Sequence, residues 1–456
     1  MATSRTVSER LASWVVGLDY DDLPADVVAM AKRLVLDQLG LQLRGSTLPN
    51  VQPVCGVATM LGGGGEATVT GSSTRLSAPQ AAWVNGTLGH SAEYDDAHMS
   101  AWHTSSAVVP AALAAAEREG HSGSELITAV VAGVQVMGVL GSVAGNGMLT
   151  RGWHGSKVLG VFGAAAAAGR ILGLDAAQLT NAFGIAASDA GGTMEYDRSG
   201  GEVKRLHAGS ASRTGVEAAL LAQWGLTGPV SIFEGPRGVF AMFGGAEDGA
   251  VPADEEWDRW QILATMFRFY PAVAATHPPL DALRRLRAQE PIDPADVVAI
   301  TVGLPAWAVG HGAAIVRPND AISAQFSLAF GLGLQLVTGH NRPQDYFDPR
   351  LWSDPEILRI ADAVVPVAME IPDGDPNLSA RVEIELRDGR RLSAYQAGFH
   401  GHPVWPATGK DIEDKFRANL DGVTSEEIAQ AIIGIVTSLE HAASVRDLTA
   451  LLRSAA

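Results

Sequence analysis

The sequence predicts a mainly α fold: a large all-α helical domain, assigned to residues 1–265 plus 405–456, and a smaller α+β domain inserted at residues 266–404. Three observations carry that assignment. Apolar residues recur at helical spacing through most of the stretch from Val7 to Gln223. The pattern changes after about residue 265: Val297–Leu304 alternates like a strand, and Arg381–Arg387 and Arg390–Gln396 flank Asp388-Gly389, a strong hairpin signal. From Gly409 onward the helical spacing returns, so the C-terminal segment is expected to rejoin the first domain. A length of 456 residues also exceeds what one hydrophobic core usually serves.

Taken in order, the first strong helix follows Leu23-Pro24, with the proline in its first turn. Gly62–Gly65 interrupts the pattern and Ala67–Thr70 reads as a short extended piece. The glycine run lacks the strand-GxGxxG-helix context of a dinucleotide site and reads as a loop. Residues 80–92 read as a helix, and another starts near Ala107. Ser122 and Glu125 have capping-box spacing ahead of a long apolar helix through about Val143. Helices follow near 156–172 and 176–188, the second capped by Asp175. Gly191–Gly201 carries Glu195, Tyr196, Asp197 and Arg198 and reads as a mobile loop able to close on a site. A helix from Lys204 to Gln223 comes next, then helices near 277–288 and 322–338 among the strands, and finally a helix over Ser425–Glu440.

Composition narrows the function. The chain is 47% hydrophobic and 18% charged, which suits a well-buried protein. A formal net charge of -17 argues against nucleic acid and anionic membrane as partners, because both require a basic footprint. The single cysteine, Cys55, allows no internal disulfide and fits a reducing, cytoplasmic setting. It also excludes an iron–sulfur cluster held by several thiolates. The N-terminal stretch is amphipathic and lacks the apolar core of a signal peptide. Ala129–Val143 and Val158–Ala168 are shorter than a bilayer span of about 20 residues and read as core helices.

The densest chemistry lies in His90–Pro110, which carries Glu93, Asp95 and Asp96 with His90, His98 and His103. Such groups on a loop before a buried helix suit proton transfer at carbon. The plainer reading is turn and capping chemistry, which Ser105 and Ser106 could supply. Four further places carry titratable groups. His154 precedes an alanine-rich helix whose N-terminus could receive an anion. Lys204 and Arg205 stand at a helix start, where cations oppose the dipole unless something anionic binds. Arg268, Tyr270 and His277 fall at the expected domain junction, a favoured place for ligands. His400-Gly-His402 lacks a convincingly spaced third ligand, so no metal is expected. GxSxG, HExxH and Walker patterns are absent from the sequence.

These residues together carry a resemblance. Leu23-Pro-Ala-Asp, Asn85-Gly, His90, Asp95-Asp96, His103, Gly152-Trp-His154, Lys204, His207-Ala-Gly, Thr276-His277-Pro-Pro, Phe326-Ser-Leu and Asp414-Lys-Phe416 occur in the order and spacing of the MmgE/PrpD family, from about residue 7 to 440. That family includes 2-methylcitrate dehydratase, cis-aconitate decarboxylase and iminodisuccinate epimerase. The resemblance implies a homodimer with a smaller lid domain and a cofactor-free cleft between the domains. It places His103, His154 and Lys204 in that cleft, with Asp95 and Asp96 beside His103. The sequence departs from the commoner pattern at Glu93, Arg268 and Phe330, where Asp, Lys and Tyr are usual.

The expected function is a cofactor-independent lyase on a small anionic polycarboxylate, with dehydration first and decarboxylation second. An epimerase of a dicarboxylate such as iminodisuccinate, or a non-catalytic carboxylate-binding relative, are the alternatives. His103, Lys204, His154 and Asp95 are the expected catalytic residues. Glu93, Asp96, Arg268, Tyr270 and His277 are the expected substrate contacts. An aci-carboxylate dianion would need cations such as Lys204 and Arg268, and a histidine can carry the proton near neutral pH.

Overall fold

Abundant glycine and alanine let the helices of this chain cross at unusually short range. The computed structural model describes residues 5–199 and 201–455; Gly200, Ala456, the side chains of Arg198 and Ser199 and the first four residues of the amphipathic N-terminus lie outside that description. The chain is mainly α. At its centre pack the helices Ala78–His90, Ser105–Glu119, Gly160–Ile171 and Val203–Gln223. A Cβ on Gly86 would sit 2.8 Å from the Gly209 Cα, and one on Gly215 would sit 2.3 Å from the Ala164 Cβ. Only hydrogen at these positions permits the approach.

The helix Gly123–Thr150 begins with the expected capping box, Ser122 and Glu125 each bonding the other's backbone N–H. It continues past Val143 to reach 28 residues. By length and composition it could cross a membrane, yet 89% of its most apolar window is buried inside the fold. The C-terminal helix Gly409–Leu420 packs on Ala25–Ser46, with Phe416 against Gly40 and a buried ion pair of 2.7 Å between Lys415 and Asp37. One large apolar cluster accordingly joins residues from Val7 to Phe267 with those from Ala407 to Ala455.

A second cluster, from Tyr270 to Ala394, is built on a four-stranded sheet ordered Val364–Ala368, Val297–Leu304, Ala380–Leu386, Arg391–Gln396. The first pair is parallel and the other two are antiparallel. The hairpin turns at Asp388-Gly389 as expected: Gly389 has φ 86°, and Asp388 accepts from the Arg390 N–H. The helix His277–Gln289 lays Leu280, Leu283 and Leu286 into the same apolar cluster as Ile300, Val302, Val382 and Ile384 of the sheet.

Several boundaries differ from the sequence expectation. Pro24 stands at the N-cap of Ala25–Ser46 rather than inside its first turn. The helix expected over 322–338 is split at Phe326, and Ser327 caps the second part, Leu328–Thr338. The strand Val364–Ala368 has no alternating pattern to announce it, since its burial barely alternates. A two-residue strand pairing was also invisible: Ala97–His98 pairs antiparallel with Thr265–Met266, joining the polar stretch to the chain that opens the sheet region. Gly215→Ala should lower stability by about 1–3 kcal/mol through overpacking. A reduced urea midpoint with an unchanged slope would show it.

Candidate active site

Among the described residues, the only non-glycine positions with positive φ are Glu93 (54°) and Trp102 (66°). Both lie between His90 and His103, where strained backbone re-aims several side chains into one volume. The loop is pinned from within. The His98 Nδ1 accepts from the Ala101 N–H, and its Nε2 faces the Gln261 carbonyl at 3.1 Å. Asp96 receives the N–H and O–H of both Thr104 and Ser105, at 2.6–3.0 Å. The cap of the Ser105–Glu119 helix is therefore Asp96, from outside the helix, and Ser105 and Ser106 do not supply it.

A cavity of about 960 Å³ is lined by Glu93, Trp102, His103, His154, Tyr196, Lys204, Arg268, His311 and Phe326 among others. Its walls come from the helical region and from the segment after Met266. Glu93, His103, His154, Lys204 and Arg268 thus meet as the sequence suggested. Asp95 lies beneath them. It faces the His90 Nδ1 at 2.8 Å, accepts from the Ser106 hydroxyl at 2.6 Å and from Arg268 at 2.6 Å, and is fully buried.

Three expected substrate contacts are not on the cavity wall. Asp96 is spent on the helix cap. Tyr270 donates to Asp281 at 2.7 Å, and His277 faces the Ala272 carbonyl through Nε2 at 3.0 Å. Tyr270 and His277 meet edge to face, and His277 also packs on Phe399, in the core behind Arg268. Phe330 likewise packs against Tyr346 in a separate small cluster, so the phenol missing there is not missing from the cavity. Tyr196 supplies a phenol on the wall instead.

Two of the departures from the family pattern compensate each other. Arg268, 1% exposed, donates from Nη1 to Glu93 at 2.8 Å and from Nη2 to Asp95, while its Nε bonds the Asp95 carbonyl. The longer acid and the forked cation are suited to this two-carboxylate grip, which a lysine could not make. Glu93 also takes Lys204 in a very close ion pair, with Arg205 at 3.6 Å. Sequence reasoning treated Arg205 only as half of a charge run. It is in fact 1% exposed and also bonds Gln325, which in turn donates to the Ala92 carbonyl at 2.7 Å.

Burial and charge set the resting protonation states. Burial works to raise the Glu93 pKa, but Lys204 and Arg268 outweigh it and hold the group well below the usual carboxylate range. Asp95 is likewise held ionised, burial being overcome by His90, His103 and Arg268. Burial pushes Lys204 down to about 8, with Glu93 opposing the fall. It pushes His103 down to about 3, against the pull of Asp95. His154 lies well below its ordinary value, through burial and then the neighbouring His207, whose Nδ1 is 3.0 Å from the Nδ1 of His154. At neutral pH His103 and His154 are uncharged, and Glu93 and Asp95 are ionised. The glycine-dotted loop is tied to this wall, Gly192 accepting from the His154 N–H and Met194 donating to the Gly152 carbonyl.

The fold and cavity define a mainly α protein with a buried carboxylate–cation–imidazole cleft beside a sheet-bearing segment. The chain belongs to the MmgE/PrpD family: the MmgE/PrpD N-terminal domain matches residues 9–250 and the C-terminal domain residues 270–441. It is 31% identical to a cis-aconitate decarboxylase-like protein of Aspergillus oryzae, over 98% of this chain and 97% of that protein. The cis-aconitate decarboxylase of Aspergillus terreus is 29% identical over 98% of this chain and 96% of its own length. The human cis-aconitate decarboxylase is also 29% identical, over 98% and 95%.

Replacing Glu93 by Gln would leave Lys204 and Arg268 without their shared partner. Loss of one member of a buried ion network costs about 3–5 kcal/mol. The expected outcome is a destabilisation of that order in chemical denaturation, with Asp95 still gripping Arg268.

Proposed function

We propose that this protein is a lyase acting on a cis-aconitate-like polycarboxylate, and that the reaction is decarboxylation. The observation that carries the reading is a single cavity presenting Lys204 and Arg268 together with His103 and His154. The relatives' names reverse the order suggested by the sequence, in which dehydration came first.

The charges give a sequence of events. In the resting site Lys204 and Arg268 are offset by Glu93 and Asp95, so water is excluded without leaving a bare cation. A substrate carboxylate exchanges places with Glu93 as partner of Lys204. Departure of CO2 from a carbon next to the double bond moves the C–C electron pair into a new double bond. The original π pair then takes a proton at the far alkene carbon, beside a second carboxylate. Negative charge developing on that carboxylate is what Lys204 and Arg268 stabilise. His103 carries the proton: its Nδ1, 2.8 Å from the Asp96 carbonyl, holds a hydrogen there, which leaves Nε2 for exchange. Entry of an anion raises the imidazole's affinity for a proton at the moment it is needed. His154 is the second donor, Asp95 orients His103 and Arg268, and residues 266–404 act as a lid on the cavity.

The test is NMR of the purified protein in deuterated water with cis-aconitate, 2-methylcitrate, citrate and iminodisuccinate. Decarboxylation of cis-aconitate should give a product with one deuterium, at a rate reduced about 10²–10⁴-fold in His103→Ala and in Lys204→Ala. Exchange without a new product would establish an epimerase, and an unreacted panel would leave a carboxylate binder. The pH profile is a separate prediction. Lys204 loses its charge as pH rises through about 8, so kcat/KM for an anionic substrate should fall above that pH. Lys204→Arg should flatten the alkaline limb, because a guanidinium keeps its charge there.

A further inference from the structure

The mechanism above has no use for His90, although it is fully buried beside the two histidines that act. Its Nδ1 is turned to Asp95 at 2.8 Å, and its Nε2 has no hydrogen-bond partner among the described residues. His154 is similar: its Nδ1 faces His207 and its Nε2 has no partner among the described residues, in a residue that is 0% exposed. The His103 Nδ1 is 2.8 Å from the Asp96 carbonyl. One ring nitrogen from each of the three lies within 4.8 Å of those of the other two. Ring centroids are 4.7 Å apart for His90–His103, 5.8 Å for His90–His154 and 6.0 Å for His103–His154. Rings sharing a tetrahedral ion through Zn–N bonds of about 2.0–2.1 Å have centroids roughly 5 Å apart.

The tautomers agree with a ligand set. A hydrogen on His90 Nδ1 satisfies the Asp95 carboxylate, and one on His103 Nδ1 satisfies a carbonyl that can only accept. A hydrogen on His154 Nδ1 is directed at the His207 Nδ1, 3.0 Å away. Each assignment leaves a bare Nε2. One ring nitrogen of each residue lies within 4.8 Å of the other two in a buried space, and each ring is oriented by a second group, as metal-ligating imidazoles generally are. Lys204 and Arg268 are already offset by Glu93 and Asp95, so an incoming cation meets no uncompensated positive charge.

We propose that His90, His103 and His154 form a three-imidazole site for a divalent cation of the Zn²⁺ class, and that the bound ion blocks turnover. Three nitrogen ligands leave a fourth position open toward the cavity. The ion occupies the same Nε2 atoms that hold and release the proton, so metal and proton transfer exclude each other. The inhibitory half rests on the lyase reading; the binding half does not.

The experiment is a titration of chelator-stripped full-length protein with Zn²⁺ against a chromophoric competitor, without substrate, and a parallel titration with Co²⁺ read by visible absorption. One ion per chain is expected, with the intense visible bands of tetrahedral Co²⁺. His90→Gln and His154→Gln should each weaken binding by more than about tenfold, while His400→Ala and His402→Ala should leave it unchanged. Absence of tetrahedral Co²⁺ bands in the unmodified protein overturns the site whether or not the variants fold. Binding that survives His90→Gln and His154→Gln in folded protein overturns it too. For the inhibitory half, Zn²⁺ added to stripped protein should suppress cis-aconitate turnover at one equivalent, and a rise in turnover overturns it. Should cis-aconitate not react at all, the lyase reading fails while the optical titration still decides the site.

Discussion

A guanidinium can be taken out of water only if its charge and its donors are met, and the site depends on that condition at Arg268. Its fork holds Glu93 and the side chain and carbonyl of Asp95 at once. Glu93 in turn holds Lys204 and faces Arg205. Asp95 orients His90 and receives Ser106. Remove Arg268 and two ionised carboxylates are left in a dry interior, where the cost of an unmatched charge is several kcal/mol. The network is thus both the anchor of the loop and a reservoir of paired charge on the cavity wall.

The scaffold supplies the rigidity this arrangement needs. Helices that meet through Gly86, Gly209 and Gly215 bring backbones close and leave little room for adjustment. The Val203–Gln223 helix carries Lys204, Arg205 and His207 on its first turns, and its position is set by those crossings farther along. Asp96 does a related service by capping the Ser105–Glu119 helix, which fixes where His103 ends. The two strained residues, Glu93 and Trp102, sit between these fixed points, where surrounding contacts can hold an unfavourable backbone.

Much of the site could be read in the residues. His103, His154, Lys204, Glu93 and Arg268 were singled out because proton carriers and cations stood in polar, glycine-marked contexts, and all five line one cavity. Asp96, Tyr270 and His277 were assigned to it by the same logic, and the structure gives them to a helix cap and to packing behind Arg268. Residue type was a guide to which groups gather at the cavity and a poor guide to direction. Asp96, seven residues before His103, could face the cavity or a helix end with the same spacing. The convergence of His90, His103 and His154 escaped a search for local ligand spacing, because His154 reaches the others only through folding.

What the sequence determined by itself is periodic or compositional. The helical regions, the Asp388-Gly389 hairpin, the Ser122 and Asp175 caps and the return of the C-terminal segment to helix all follow from local spacing and turn chemistry. Only the tertiary structure decided who pairs with whom. Arg268 stands on the cavity wall, and its partners there are Glu93 and Asp95. Phe330 could have marked a lost hydroxyl in the cleft, and it is core beside Tyr346. The physical reason is that periodicity is written in neighbouring residues, whereas a buried charge finds its partner across the chain, wherever desolvation leaves it no alternative.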